Sequence, residues 1–295
     1  MQPILETGPD FEATHPLRRA EGVLPTGRLV RVASAALCAR ALEDALAELP
    51  DLPPRVTGVD VVAAIAASAL DPTDWILLGP RQLSAALYRG VPTDAAIASF
   101  FTTHRDPQLG HVPPGHTPDR ERRIVPAYSS TGAFLTHATG IGWAMRLAKS
   151  QEVTLCFFDP KRASEADVHT GLNFAGVFEA RTIFVTISLP DAPLSFARRG
   201  VAYGINAIRV DGADVNAVAE ATAEAALGAR SGSGASIVDV VLSSDPLDSL
   251  RRSLGETELE AIRVRISGAV EMALAAGRVE PPLAPESVTE ALFGR

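Results

Sequence analysis

Ionisable residues crowd the boundary between the apolar run VTLCFF and the helical pattern after it: Asp159, Lys161, Arg162, Glu165, Asp167 and His169. Lys161 and Arg162 bring two cations to the start of a helix, where they could neutralise an anion without a metal; alternatively they are a solvated charge pair on a turn. Glu165, Asp167 and His169 have the residue types of a carboxylate–histidine cluster suited to acid/base or metal chemistry. His116 lies on a loop rich in Pro, Gly and His, from Asp106 to Pro126, long enough to be read as functional or mobile. An exposed, solvated or partner-contacting His there is the alternative to an active-site one. His137 falls in an apolar helical pattern and is read as a core residue. Cys38 and Cys156 have neither metal-ligand spacing nor a disulfide framework and read as buried, inert thiols. The chain has no G-x-S-x-G elbow, no G-x-G-x-x-G and no Walker sequence.

These residues sit in a chain of 295 residues with 46% hydrophobic content, enough to bury a sizeable core. A net charge of -8 with interspersed signs gives no electrostatic footprint for nucleic acid. No apolar run reaches the ~20 residues a membrane helix requires, and the opening segment has no apolar signal core. A soluble protein of a reducing cytoplasm is expected, without nucleic acid or membrane as partner.

Val153–Phe158, Thr182–Ser188, Ala207–Val210 and Ser236–Leu242 are continuous apolar runs separated by helical patterns, which predicts βαβ units and a parallel sheet covered on both faces. The fold class is therefore α/β, a doubly wound, mostly parallel sheet. Helices are expected over Gly27–Leu49, from Val59 to Leu70, within Ile76–Pro92, from Asp167, near Ser195–Tyr203, over Asp214–Ala229 and over Glu256–Ala276. Asp71 to Trp75 reads as a turn. The domain reading is a surface arm over 1–26, one α/β domain over 27–245, and a C-terminal helix and Pro-rich tail over 246–295 packed on the same domain.

Several segments, in order, carry a family resemblance. SEADVHTGLNFAGVF, DWILLGPRQLSAALYRGVP, GHVPPGH, YSSTGAFLTHATGIGWAMRL and AYGINAIRVDGADVNAVAEATAEA resemble the α subunit of the thiamine diphosphate-dependent decarboxylating component of 2-oxo acid dehydrogenases, pyruvate and branched-chain type. The resemblance implies a thiamine diphosphate-binding fold with N-terminal and C-terminal helical extensions. It further implies a diphosphate bridged by Mg²⁺ between the Asp of a Gly-Asp-Gly motif and a downstream Asn. At those two positions this chain has Pro160 and Leu189, and Asp159 and Lys161 replace the glycines. Mg²⁺ requires a near-octahedral set of oxygens, which Pro and Leu cannot supply. Pro160 also removes an N–H donor. The family's diphosphate-binding Arg corresponds to Arg81, one loop histidine to His116, and the loop carrying a second active-site His is absent between Leu242 and Asp245. Because the family carries the same residue types at the start of the helix following Gly-Asp-Gly, capping is the better account of Glu165, Asp167 and His169.

The expectation is a degenerate α-type subunit, unable to hold Mg–thiamine diphosphate and without other cofactors, acting as a structural or regulatory partner of a β-type subunit or pairing as a homodimer. The alternative is a working α subunit in oxidative decarboxylation of a 2-oxo acid, with a metal-free diphosphate site built from Arg81, Lys161 and Arg162. His116 is the vestigial catalytic candidate and no metal ligand is expected.

Overall fold

The computed structural model describes residues 15–49, 56–127, 132–190 and 196–292. Its centre is a six-stranded sheet, parallel throughout, in the order β2-β1-β3-β4-β6-β5. The strands are β1 (Trp75–Leu78), β2 (Ile124–Pro126), β3 (Thr154–Phe157), β4 (Thr182–Ser188), β5 (Asn206–Asp211) and β6 (Ser236–Val241). Alternate residues of one strand serve opposite faces, as a pleated strand requires. On β4, Ile183 and Val185 enter one core while Phe184 enters the other, so both faces of the run are covered; its polar members Thr186 and Ser188 donate to Asp239 Oδ1 of β6 at 3.1 and 2.6 Å.

The first core layer is built from helices α1 (Thr26–Ala45), α2 (Val59–Ser68), α3 (Leu83–Tyr88) and, later in the chain, α8 (Val215–Ser231). α4 (Thr93–Phe101) packs outside it. The opposite face is covered by α5 (Phe134–Leu147), α6 (Glu165–Val177) and α7 (Phe196–Ala202). α9 (Leu247–Leu254) follows β6, and the long α10 (Glu256–Val279) lays Val270 and Leu274 on Cys38, Leu42, Ile97 and Phe100 of α1 and α4. The stripe expected along α10 is thus buried against the body. The segment after it is not only a tail: Leu283 N donates to Thr102 O at 2.8 Å, and α11 spans Pro285–Leu292.

Two strands depart from the sequence reading. Trp75–Leu78, expected as the end of a turn and the beginning of a helix, is β1, and the helix starts only at Leu83 after a 3-10 turn over Pro80–Gln82. β2 lies inside the stretch expected to be a loop. Asp74, whose side chain is buried, fixes β1 by accepting from Val153 N at 2.9 Å and Asp71 N at 2.8 Å. The loop before β2 is built on buried Asp106, which accepts from Gln108 N at 3.0 Å and Gly110 N at 2.9 Å.

The described part of the N-terminal arm lies on the chain itself. Arg18 N donates to Arg209 O and Asp211 N to Arg18 O, both at 3.0 Å, which extends the sheet beside β5. Leu24 N then reaches Asn216 Oδ1 of α8 at 2.9 Å. Residues 1–14 of the expected arm lie outside the described residues.

Close approach of backbones on the α5–α6–α7 side depends on glycine. A Cβ on Gly176 would collide with the carbonyl of Tyr203, and one on Gly142 with Thr182 and the backbone of Arg181. The core leaves no room for either methyl group.

Candidate active site

In an open parallel sheet the chain leaves the carboxyl ends of two adjacent strands in opposite directions at one place, and the crevice there is the expected ligand site. Here that place lies between β1, which connects toward β2, and β3, which connects toward β4. Gly79, Pro80 and Arg81 follow β1, and Phe158 to Ala163 follow β3. The structure therefore brings Arg81 and Asp159 together across the crevice, 78 positions apart in the chain, with Arg81 Nη1 3.4 Å from Asp159 Oδ2.

Asp159 accepts more than this one contact. Its Oδ1 receives Lys161 N at 3.0 Å, and its carbonyl receives Arg162 N at 3.1 Å and Ala163 N at 3.0 Å. Pro160 has no N–H to contribute. At the head of the turn Lys161 N is thus satisfied by the Asp159 carboxylate, and Arg162 N and Ala163 N by its main-chain carbonyl. The side chains of Lys161 and Arg162, by contrast, are exposed on the approach to α6. Leu189, past the end of β4, is also exposed.

The cluster that could have performed acid/base or metal chemistry separates into local contacts. Ser164 caps α6, accepting from Asp167 N at 3.1 Å and donating to Asp167 Oδ2 at 2.8 Å. Glu165 binds Arg199 of α7, with Arg199 Nη1 at 3.1 Å, and this hydrogen bond holds its carboxyl below the usual range. The His169 ring meets Tyr203 OH at 2.9 Å. Among the described residues no three His, Cys, Asp or Glu side chains converge as metal ligands.

Of the two readings left open for His116, the structure does not support an exposed, solvated histidine: the residue is buried. The Pro113–His116 turn folds the ring inward, with Nδ1 3.2 Å from Pro113 O. Burial pushes its pKa below 6.5, opposed in part by backbone hydrogen bonding with Pro113, Ala127 and Pro114. Ala127 directly follows β2, so His116 sits at the carboxyl end of β2, on the other side of β1 from the β1/β3 crevice. Because its native pKa is depressed, the unfolded chain takes up the proton first as pH falls below 6.5, and stability declines with it. We predict that urea midpoints of His116→Gln vary less between about pH 5 and 7 than those of wild type; parallel pH profiles would refute this assignment.

Two sequence readings on the α5–α6 side are corrected or extended. His137 is exposed on α5 and is not a core residue. The same outer surface carries an aromatic ladder that periodicity did not reveal. Trp143 stacks on Phe178 with centroids 4.6 Å apart, and Phe178 stacks on Phe174 at 5.5 Å. Leu147 and Val177 beside them are well exposed, at 64% and 66%. Both cysteines are buried as expected, and burial raises both thiol pKa values. Among the described residues no helix is long and apolar enough to cross a membrane.

Comparison with known proteins adds the family. The sequence profile of the Dehydrogenase E1 component matches residues 55–242. The chain is 34% identical over 169 residues to 2-oxoisovalerate dehydrogenase subunit alpha, mitochondrial, of Mus musculus, covering 54% of this chain and 38% of that protein. The Homo sapiens protein of the same name is 36% identical over 169 residues, with 54% and 38% covered. The 3-methyl-2-oxobutanoate dehydrogenase subunit alpha of Mycobacterium tuberculosis is 32% identical over 195 residues, with 62% and 50% covered. The matched region spans half or less of these relatives' own length. With the profile covering more than half of the chain and a parallel sheet of the matching class beneath it, this chain belongs to the Dehydrogenase E1 component family.

Proposed function

We propose that the chain is an α-type subunit of a 2-oxo acid dehydrogenase-like complex that has lost the Mg–thiamine diphosphate site and serves as a structural or regulatory partner of a β-type subunit. The observation that carries this reading is the closure of Asp159 on Arg81 and on Lys161 N. A diphosphate needs those donors and the absence of a carboxylate among them; here an internal anion already holds them. The donor set also does not suit Mg²⁺, since Pro160 and Leu189 stand where oxygen ligands are needed and neither side chain has one. No catalytic step is therefore routed through the cofactor.

Pairing is supported by the surface of α5 and α6. Trp143, Phe174 and Phe178, with Leu147 and Val177, form a contiguous apolar patch of the kind that marks an interface. Aromatic anchors of this sort carry most of the binding energy of protein interfaces. The relatives' designation as α subunits favours a β-type chain as the occupant over a second copy of this one.

The test is a calorimetric titration of the chain, alone and mixed with a co-expressed β-type subunit, with thiamine diphosphate and Mg²⁺. A stable α–β complex without Mg²⁺-dependent heat is expected. In the same system Trp143→Ala should weaken the complex by about thirtyfold, the scale of an interface hot spot, with an unchanged melting temperature. Micromolar, Mg²⁺-dependent binding to the mixture would overturn the proposal and restore a working α subunit in oxidative decarboxylation.

A further inference from the structure

A second cleft, which shares no residue with the β1/β3 crevice, lies between α1, α3 and α10 and has a volume of about 410 Å³, within the range of small-molecule sites. Apolar side chains, Cys38, Leu87, Val91 and Ile266 among them, share its floor with the hydroxyls of Ser34 and Thr93, and two arginines flank it, Arg31 from α1 and Arg265 from α10. Arg31 lies over the Tyr88 ring, 4.5 Å from its centroid, which fixes the guanidinium plane at the mouth. Arg265 reaches back to Ser34 Oγ at 3.5 Å, one helical turn from Arg31. Among the described residues neither arginine is paired with a carboxylate, although Arg18, Arg40, Arg122, Arg146, Arg199, Arg230, Arg251 and Arg263 are.

In a chain of net charge -8, two cations without acids at the edge of a concave surface form an arrangement that favours an anion. It disfavours a cationic ligand and, because exposed ion pairs are weak in water, holds a bare inorganic anion poorly. Two forked guanidinium groups suit a carboxylate or phosphate head, and the floor suits an aliphatic body. We propose that this cleft binds a small amphipathic anion, a carboxylate or phosphate monoester on a short aliphatic chain, independently of the fate of the thiamine diphosphate site.

Cys38 lines the cleft and Cys156 is fully buried, so alkylation of Cys38 by N-ethylmaleimide, followed by intact mass, reports occupancy. Hexanoate, hexyl phosphate, hexanol and inorganic phosphate are the probes, each also titrated by calorimetry in case the thiol reacts too slowly. Hexanoate or hexyl phosphate should bind and protect, whichever is tighter naming the head group. Hexanol and inorganic phosphate should be at least about tenfold weaker. Along butyrate, pentanoate and hexanoate, affinity should rise about fourfold per methylene until the floor is filled. Arg31→Gln with Arg265→Gln should cost at least about tenfold in affinity at an unchanged melting temperature. Equal binding of hexanol, undiminished binding by the double variant, or no binding of either anion would overturn the proposal. So would unliganded labelling that slows as protein concentration rises, which would show a second copy covering the cleft.

Discussion

Replacing Arg40 by Leu is expected to remove about 3–5 kcal/mol of stability, a large fraction of the ~5–15 kcal/mol typical of a folded domain. Arg40 lies on α1 with its side chain 16% exposed and donates to two acids. Its Nε and Nη2 reach Asp60 at 2.6 and 3.0 Å, and its Nη1 and Nη2 reach Asp245 at 2.9 and 3.3 Å. Asp60 stands in the first turn of α2 with its side chain 2% exposed, while Asp245 precedes α9. One guanidinium therefore joins three segments distant in sequence. Burial draws the Arg40 pKa down, but its hydrogen bonds and charge interactions with the two carboxylates more than offset this and the net shift is upward. The effect is asymmetric: keeping the triad gives only modest net stability, whereas removing the arginine leaves Asp60 charged with neither solvent nor partner. The companion variant Arg40→Leu with Asp60→Leu should recover much of the loss, because it removes the stranded charge. Urea unfolding of both variants checks this, and a loss below about 1 kcal/mol for Arg40→Leu would show that water reaches Asp60.

What the sequence disclosed followed from how strongly each element imposes its own pattern. β3, β4 and β6 are covered on both faces, so Thr182–Ser188 reads as an apolar run and its boundaries come out as expected. β1 has only four residues, and only Gly79 and the 3-10 turn Pro80–Gln82 separate it from α3. Its strand character comes from pairing with β3 and from the Asp74 bonds, neither of which is local. β2 is shorter still and ends in a proline, and its extended form is imposed by β1 alongside. α5 misled in another way. Leu135 and Ala138 are buried while Trp143 and Leu147 are exposed, so apolar residues ring the helix and its inward face cannot be identified from spacing alone. Spacing alone therefore puts His137 among core positions, although it is exposed. At the crevice, the sequence supplies Asp159, Pro160, Lys161 and Arg81 as residue types. The pairing of Arg81 with Asp159 depends on which two strand ends meet at the switch point, a property of sheet order.

Asp159→Gly, Pro160→Asp, Lys161→Gly and Leu189→Asn, combined in one chain and mixed with a β-type subunit, are expected to raise the affinity for Mg–thiamine diphosphate by at least about a hundredfold, ~2.7 kcal/mol. Two separate penalties are removed. The first is repulsion between Asp159 and the diphosphate: two unit charges about 4 Å apart near a protein surface interact by ~4 kcal/mol. The second is the missing oxygen set, without which Mg²⁺ has nothing to bridge to. The single change Asp159→Asn separates the two, since it abolishes the acid's charge but adds no ligand. It frees Arg81 from its ion pair and should improve binding of inorganic pyrophosphate by about tenfold or more without any dependence on Mg²⁺. Calorimetry of the four-residue variant, of Asp159→Asn and of wild type in parallel distinguishes the outcomes. Wild type binding Mg–thiamine diphosphate as tightly as the four-residue variant would show that the native turn already accommodates the diphosphate. A four-residue variant that folds with an unchanged melting temperature yet gains nothing would show that Asp159, Pro160 and Leu189 are not what prevents binding.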